Sequence, residues 1–194
     1  MLSSITGIIL SAGLSERMNS LKPLLKLGNG NTFIQNIVVK LTRVCNQVII
    51  VTGFKNNEIE ENLKSIEEKE KIKFVFNDKY KSGMFTSLQK GLSTADSKWY
   101  LYHFIDQPSL PLNFYSDFVH QIDDKFNWVQ PTHNGKKGHP ILFDDFVKQR
   151  IIKSGIKDTL RDVAQDKSIK KKFWECNTNL IFQDIDTLSD FREM

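Results

Sequence analysis

The run Ile5–Leu10 is almost unbroken in its apolarity and stops abruptly at the small residues Ser11-Ala12-Gly13. A short run without polar alternation reads as a strand covered on both faces, and such a strand belongs inside a sheet sandwiched by helices. The rest of the chain supplies the other layers. Val48–Val51, Ile72–Phe76 and Trp99–Ile105 read as further buried strands, the first closed by Thr52-Gly53 and the last by Asp106-Gln107-Pro108. Phe33, Ile34, Ile37, Val38 and Leu41 recur at helical spacing behind a candidate N-cap, Thr32. Met84, Phe85, Leu88 and Leu92 form a second stripe after Gly83, and Tyr115, Phe118, Val119 and Ile122 a third. The mixed-sign stretch Glu58–Lys73 reads as a solvated helix face. Trp128–Pro131, Ile141–Phe143, Phe173–Glu175 and Leu180–Ile185 are expected to be later strands, with a polar, flexible loop over His133–His139. Strand–helix alternation of this kind predicts one three-layer α/β domain over 1–194, with a mixed, mostly parallel sheet. Ligands of such sheets bind beyond the carboxyl ends of the strands, so the loops after Leu10, Thr52 and Ile105 are expected to share one edge.

Bulk chemistry narrows the partners. The net charge of +4 is mild, and Lys and Arg are interleaved with Asp and Glu rather than clustered. That balance suits an anionic small substrate and argues against a nucleic-acid arm. No stretch is long and apolar enough to span a bilayer, and the first residues lack a basic leader, so a cytoplasmic protein with no membrane partner is expected. Two cysteines, Cys45 and Cys176, without a CxxC spacing fit reduced, core thiols.

The first loop runs Leu10-Ser11-Ala12-Gly13-Leu14-Ser15-Glu16-Arg17-Met18, with Lys22 beyond it. Small residues at 11–13 let backbone N–H groups approach a ligand, and phosphate oxygens are their usual partner. Arg17 can fork onto a phosphate and Lys22 supplies a compact charge. A plain glycine turn with two surface cations would explain the same residues, and the spacing is neither a Walker loop nor a dinucleotide fingerprint. Asp106 is either a turn aspartate before Pro108 or an oxygen ligand for a hard cation. Asp184 and Asp186, two apart on an expected strand, would share a face and repel one another unless a cation lay near them. Gly83 and Ser87 flank the first turn of a helix, where N–H groups and a hydroxyl can meet a base or ribose. His103 lies in an apolar strand and reads as a core residue, and His133 as solvent-facing. His139 is the better candidate for substrate contact.

Ile9–Met18 together with Lys22-Pro23-Leu24-Leu25 resembles the glycine-loop signature of the molybdenum-cofactor nucleotidyltransferases, and most of all their cytidylyltransferase branch. The resemblance continues through Val51-Thr52-Gly53-Phe54 with Glu58, through Asn77–Leu88, and through Asp106-Gln107-Pro108. It resumes at Pro131 with Gly135, Gly138, His139 and Pro140, and ends at Asp184-Ile185-Asp186-Thr187 with Asp190-Phe191. Six segments in one order over Ile8–Phe191 are specific where one would be weak. Three positions depart from the pattern. Ser11 replaces a small Ala, Asn19 replaces a Gly but tolerates left-handed backbone, and Ser189 stands where a helix usually begins and can cap it. Ala12 stands where the guanylyl branch favours a second Gly, which favours CTP.

The resemblance implies a Rossmann-like nucleotidyltransferase fold and transfer of CMP from CTP to the phosphate of a molybdenum-pterin cofactor. It implies a magnesium cofactor, with manganese as the alternative, and a recipient molybdoenzyme as partner. Arg17, Lys22 and Asp106 would be catalytic. Leu10, Ser11, Ala12, Gly13, Ser15, Arg17, Lys22, Thr52, Gly53, Gly83 and Ser87 would hold the nucleotide, the last two by facing the pyrimidine. Gly138, His139 and Pro140 would meet the acceptor. Asp106 would bind the metal with Asp184, for which Asp186 is the rival. Three other readings use the same residues: guanylyl transfer to the pterin, transfer to a sugar or alcohol phosphate, and a non-catalytic cofactor chaperone on the same fold.

Overall fold

The computed structural model describes residues 4–13 and 21–192. Among them, eight strands form one mixed sheet: β1 (Ile5–Ser11), β2 (Gln47–Thr52), β3 (Ile72–Phe76), β4 (Trp99–His103), β5 (Trp128–His133), β6 (Lys136–Lys137), β7 (Ile141–Asp144) and β8 (Lys171–Glu175). The order is β3-β2-β1-β4-β7-β5-β6, and β8 flanks β5. β3, β2, β1 and β4 run parallel, β7 is antiparallel to both β4 and β5, and β8 returns parallel to β5. This is the mixed, mostly parallel α/β sheet that the alternation of runs predicts.

Adjacent residues of β1 face opposite layers, so the sheet carries two cores. On one side Ile5 and Ile9 meet Ile37 and Leu41 of α1 (Phe33–Val44) and Phe114 and Phe118 of α4 (Leu112–Val119). On the other, Ile8 and Leu10 meet Leu88 and Leu92 of α3 (Met84–Ser93) and Val147 and Ile151 of α5 (Asp145–Lys153). Thr32 begins α1 with a reciprocal cap: its hydroxyl accepts from the Gln35 N–H at 3.3 Å and its own N–H donates to Gln35 Oε1 at 2.9 Å. Gly91 lets α3 lie flat on the sheet, because a Cβ there would sit 2.6 Å from Val51 Cγ2.

Several expectations need correction. Leu180–Ile185 is not a strand. Thr178 accepts from the Leu180 N–H, and Asn179–Phe182 closes as a 3-10 turn whose Ile181 is fully buried. The loop at 133–139 is a tight hairpin, β5 to β6, turned through Asn134 and Gly135 at φ 51° and 74°. The charged stretch 58–73 is helical only in α2 (Asn56–Asn62) and a single 3-10 turn, Lys69–Lys71. β4 ends at His103, two residues short of Ile105. The last helix, α7 (Leu188–Arg192), is entered through Thr187 rather than capped by Ser189: Thr187 Oγ1 accepts from the Asp190 N–H, and Asp190 Oδ2 from the Thr187 N–H. The sequence reading also missed α5 and the short α6 (Leu160–Ala164).

Candidate active site

Lys22 opens a 3-10 turn, Lys22–Leu24, that Pro23 pre-sets. The following Leu25 and Leu27 pack with Phe33, Ile185 and Phe191, and the Phe33 N–H donates to Leu25 O at 2.9 Å. That small apolar cluster draws the segment around Asp186 against Lys22. Lys22 is only 9% exposed, and its Nζ lies 2.8 Å from Asp186 Oδ1 and 3.9 Å from Asp106 Oδ2. The loop after β4 and the 184–186 segment therefore meet on one buried ammonium.

Residues that sequence reasoning did not single out fix this arrangement. Gln107, 1% exposed, donates from Nε2 to Asp184 Oδ1 at 2.7 Å and to Ile181 O at 3.2 Å. The Ile185 N–H donates to Asp106 O at 3.0 Å. From α1, Asn36 Nδ2 and Lys40 Nζ donate to Pro108 O at 2.8 and 3.1 Å, and Lys40 also reaches Leu110 O at 2.7 Å. Asp190 Oδ2 accepts from the Asp186 N–H at 2.9 Å. All but the Asp190 contact join residues far apart in sequence, and of the residues that make them the motifs above held Gln107, Ile185 and Asp190.

Asp184 and Asp186 do not share a strand face. Asp184 turns toward Gln107 and Asp186 toward Lys22. Burial pushes the Asp106 carboxyl up to about 6, Lys22 pulls it down, and Asp184 and Asp186 push it further up. Its Oδ1 is buried without a hydrogen-bond partner. Among the described residues, no three acidic, His or Cys side chains form a ready-made metal cage. The donor set fits a hard divalent cation nonetheless, since magnesium takes one or two carboxylates and completes its shell with water and phosphate. Two carboxylates, Asp106 and Asp186, meet the Lys22 ammonium, and Asp106 Oδ1 has no hydrogen-bond partner among the described residues. Asp184 takes the neutral Gln107 amide as its hydrogen-bond partner.

The nucleotide candidates lie along the same edge. Ser11 and Thr52 pair in register at the ends of β1 and β2, and both hydroxyls are buried without a partner. Ala12 is buried, Gly13 is exposed with no described atom within 4 Å of where a Cβ would sit, and the Leu10 side chain is in the core, leaving only its backbone to face a ligand. Gly53 has a packing reason: a Cβ there would meet the Tyr80 ring at 2.7 Å and Ala12 Cβ at 3.0 Å. Gly83 enters α3 at φ 108°, a conformation that favours glycine, and the helix has no side-chain cap. Ser87 is buried and its hydroxyl accepts from Asn77 Nδ2 at 2.9 Å. Ser15 and Arg17 lie outside the described residues.

At the expected acceptor side, Gly138 and Pro140 are buried. A Cβ at Gly138 would meet Ile181 at 2.6 Å, so the hairpin and the 3-10 turn dock through it. His139 is half-buried; its ring meets Phe104 edge-on at 4.2 Å, its Nδ1 has no partner, and burial pushes its pKa down to about 4. His103 is a satisfied core histidine, held between Phe104 O and the Tyr115 hydroxyl at 2.7 Å each. His133 is half-buried rather than solvent-facing, with Nδ1 2.9 Å from Cys176 O. Both cysteines are buried and free.

A family model described as the MobA-like NTP transferase domain matches residues 7–172. The molybdenum cofactor cytidylyltransferase of Escherichia coli strain K12 is 29% identical over 141 residues, 73% of this chain and 70% of that protein. A probable molybdenum cofactor guanylyltransferase of Bacillus cytotoxicus is 26% identical over 185 residues, 94% of this chain and 86% of that protein. Among solved structures, a nucleotidyl transferase from Methanothermobacter superposes with a TM-score of 0.80 at 20% identity, covering 98% of this chain and 95% of that one. With its site assembled at the carboxyl edge of the parallel strands, the chain is a nucleotidyltransferase and belongs to the MobA-like NTP transferase family.

Proposed function

We propose that the protein transfers CMP from CTP to the phosphate of a molybdenum-pterin cofactor and releases pyrophosphate. One observation carries the reading: the Lys22 ammonium sits between Asp106 and Asp186 on the edge that also bears the Ser11–Gly13 turn. The names of the two curated relatives support the acceptor. Ala12 and the cytidylyltransferase among those relatives support CTP. The guanylyl alternative draws on the Bacillus relative, which spans more of the chain.

A phosphate monoester is largely ionised near neutrality, so no general base is needed. An acceptor oxygen attacks the α-phosphorus, the new P–O bond forms, and the bond to the bridging oxygen breaks as pyrophosphate leaves. The protein contributes alignment and charge. Backbone N–H groups around Ser11–Gly13 hold phosphate oxygens. Lys22 offsets charge on the triphosphate and the leaving group, and Arg17 joins it. Gly83 and Ser87 meet the pyrimidine. A divalent cation, magnesium or manganese, held by Asp106 with Asp184, would neutralise charge on the phosphates. A cytoplasmic location and a recipient molybdoenzyme complete the reading.

Pyrophosphate release measured across CTP, GTP, ATP and UTP, with metal-loaded and unloaded pterin, tests it. Turnover with CTP is expected. A preference for GTP makes the protein a guanylyltransferase, product only with sugar or alcohol phosphates replaces the acceptor, and no release with any pair leaves the chaperone reading.

A further inference from the structure

Strand β8 reads Lys171-Lys172-Phe173-Trp174-Glu175 and lies at a margin of the sheet. It pairs with β5 on one side, and no described strand pairs with it on the other. The bonds to β5 show which backbone groups are left over. The Trp128 N–H donates to Lys170 O at 3.2 Å, and the Cys176 N–H donates to Thr132 O at 2.8 Å. Backbone groups of successive strand residues point to alternate sides, so 170, 172, 174 and 176 face β5. Lys171, Phe173 and Glu175 therefore turn their N–H and C=O groups outward. An open row of this kind is a template for another strand. No residue of β8 is buried, and Phe173 is 45% exposed.

The sequence of β8 is complementary to its own reverse. A twofold axis through Phe173 lays the strand antiparallel on a second copy of itself. Each outward N–H of one copy then meets an outward C=O of the other: Phe173 bonds to the partner's Phe173, and Lys171 to the partner's Glu175. Residues 171, 173 and 175 share one face of the strand, so the Lys171 ammonium comes to lie beside the partner's Glu175 carboxylate. On the opposite face Lys172 comes beside the partner's Trp174, a cation against an indole. Unlike charges across paired strands stabilise them and like charges destabilise them. Centring the axis on Lys171 or on Glu175 would oppose like charges, so charge selects the Phe173 register. Neutral groups of the same chain hold both charged side chains in place. The Glu175 carboxylate accepts from Thr132 Oγ1 at 2.7 Å and from the Asn134 N–H at 2.6 Å, and the Lys171 ammonium donates to Ala164 O. The other margin differs. Strand β3 has no acidic residue between Ile72 and Phe76, so antiparallel pairing of β3 with itself joins no unlike charges.

We propose that β8 is a homodimer interface, through which two copies of the chain join their sheets by antiparallel pairing about a twofold axis at Phe173. The contact is isologous, with the same strand presented by both copies. It goes beyond the reaction proposed above and does not depend on it.

The test is sedimentation velocity of the full chain over a wide range of concentration, with circular dichroism and the urea midpoint to show that each variant is folded. A concentration-dependent dimer is expected. Phe173→Pro removes one outward donor while leaving the bonds to β5 in place, and should be monomeric where the wild type dimerises. Lys171→Glu and Glu175→Lys each turn two attractions into two repulsions and should each weaken the dimer roughly tenfold or more. Mixing these two variants opposes unlike charges again and should restore association. Glu175 also holds Thr132 and Asn134, so where Glu175→Lys does not fold, Lys171→Glu combined with Glu175→Gln takes the place of the mixture: it removes the repulsion and should recover association. A wild-type chain that stays monomeric at every concentration overturns the proposal. A dimer that Phe173→Pro and both charge reversals leave intact overturns β8 as the surface. Reversals that abolish association without recovery in the mixture, or in the double variant, overturn the Phe173 register.

Discussion

The two halves of the sheet are built for different tasks. In the parallel half, every residue of β1 and β4 is buried, and all of β2 except Gln47, while the edge strand β3 buries only Val75. In the mixed half, β7 and β5 are largely buried, but β8 has no buried residue and β6 is exposed at both positions. The covered central strands β1, β2 and β4 hold their carboxyl ends rigidly, which suits groups that must align a triphosphate to within fractions of an ångström. The half-covered strands at the margin leave aromatic side chains facing solvent, which suits the reception of a second chain. The division teaches that coverage follows position in the sheet rather than strand direction: β7, antiparallel to β4, is as covered as the central parallel strands, and the open strands lie at the margins.

The contrast can be broken most severely at the charged edge. Asp106→Ala should reduce pyrophosphate release on the order of a thousandfold or more, with a smaller loss of nucleotide affinity by calorimetry. Lys22→Ala should raise the barrier by roughly 2–4 kcal/mol, read as kcat at saturating substrates; wild-type turnover in that variant would separate Lys22 from the chemistry. A stability comparison sharpens the difference between halves. Gly91→Val forces atoms into Val51, whose Cγ2 would lie 2.6 Å from the new Cβ, and should cost roughly 1–3 kcal/mol in urea unfolding. Phe173→Ser, on a side chain 45% exposed, should cost well under about 1 kcal/mol. Equal losses would erase the proposed asymmetry.

The smallest effect concerns acid. Burial lowers His103 to about 3 and His139 to about 4, below an unfolded value of about 6.5. The unfolded chain therefore takes up protons first. Stability is whole above about pH 6.5 and declines as pH falls toward 4. The urea midpoint should be lower at pH 5 than at pH 7, and His139→Gln should shrink that gap. An unchanged gap would assign the whole pH response to the parallel half, where His103 resides.

The buried strands were legible because a continuous apolar run has few other outcomes in a chain of this size. Ile5–Leu10, Ile72–Phe76 and the α1 stripe needed no tertiary information. Leu180–Ile185 misled because its spacing of apolar residues imitates a strand, whereas Ile181 serves as a plug against Gly138, a contact made across the fold. The start of α5 carried a readable cue in Asp144, just past the expected strand Ile141–Phe143, which accepts from the Val147 N–H at 3.1 Å. The resemblance singled out Lys22, Asp106, Asp184 and Asp186, of which Lys22 meets Asp106 and Asp186. Gln107, Asn36 and Lys40 were not singled out, because each acts on a backbone or carboxylate more than sixty positions away.

The ion pair between Lys22 and Asp186 spans 164 positions of chain. Contacts of such separation form late, since the intervening polypeptide must be ordered first. During synthesis, a chain that has emerged only through β4 has its glycine turn and Lys22 but lacks the acidic partner from the far end. The Lys22–Asp186 contact therefore waits for the last segment of the sheet domain to arrive, and a truncation before Asp184 removes it whole.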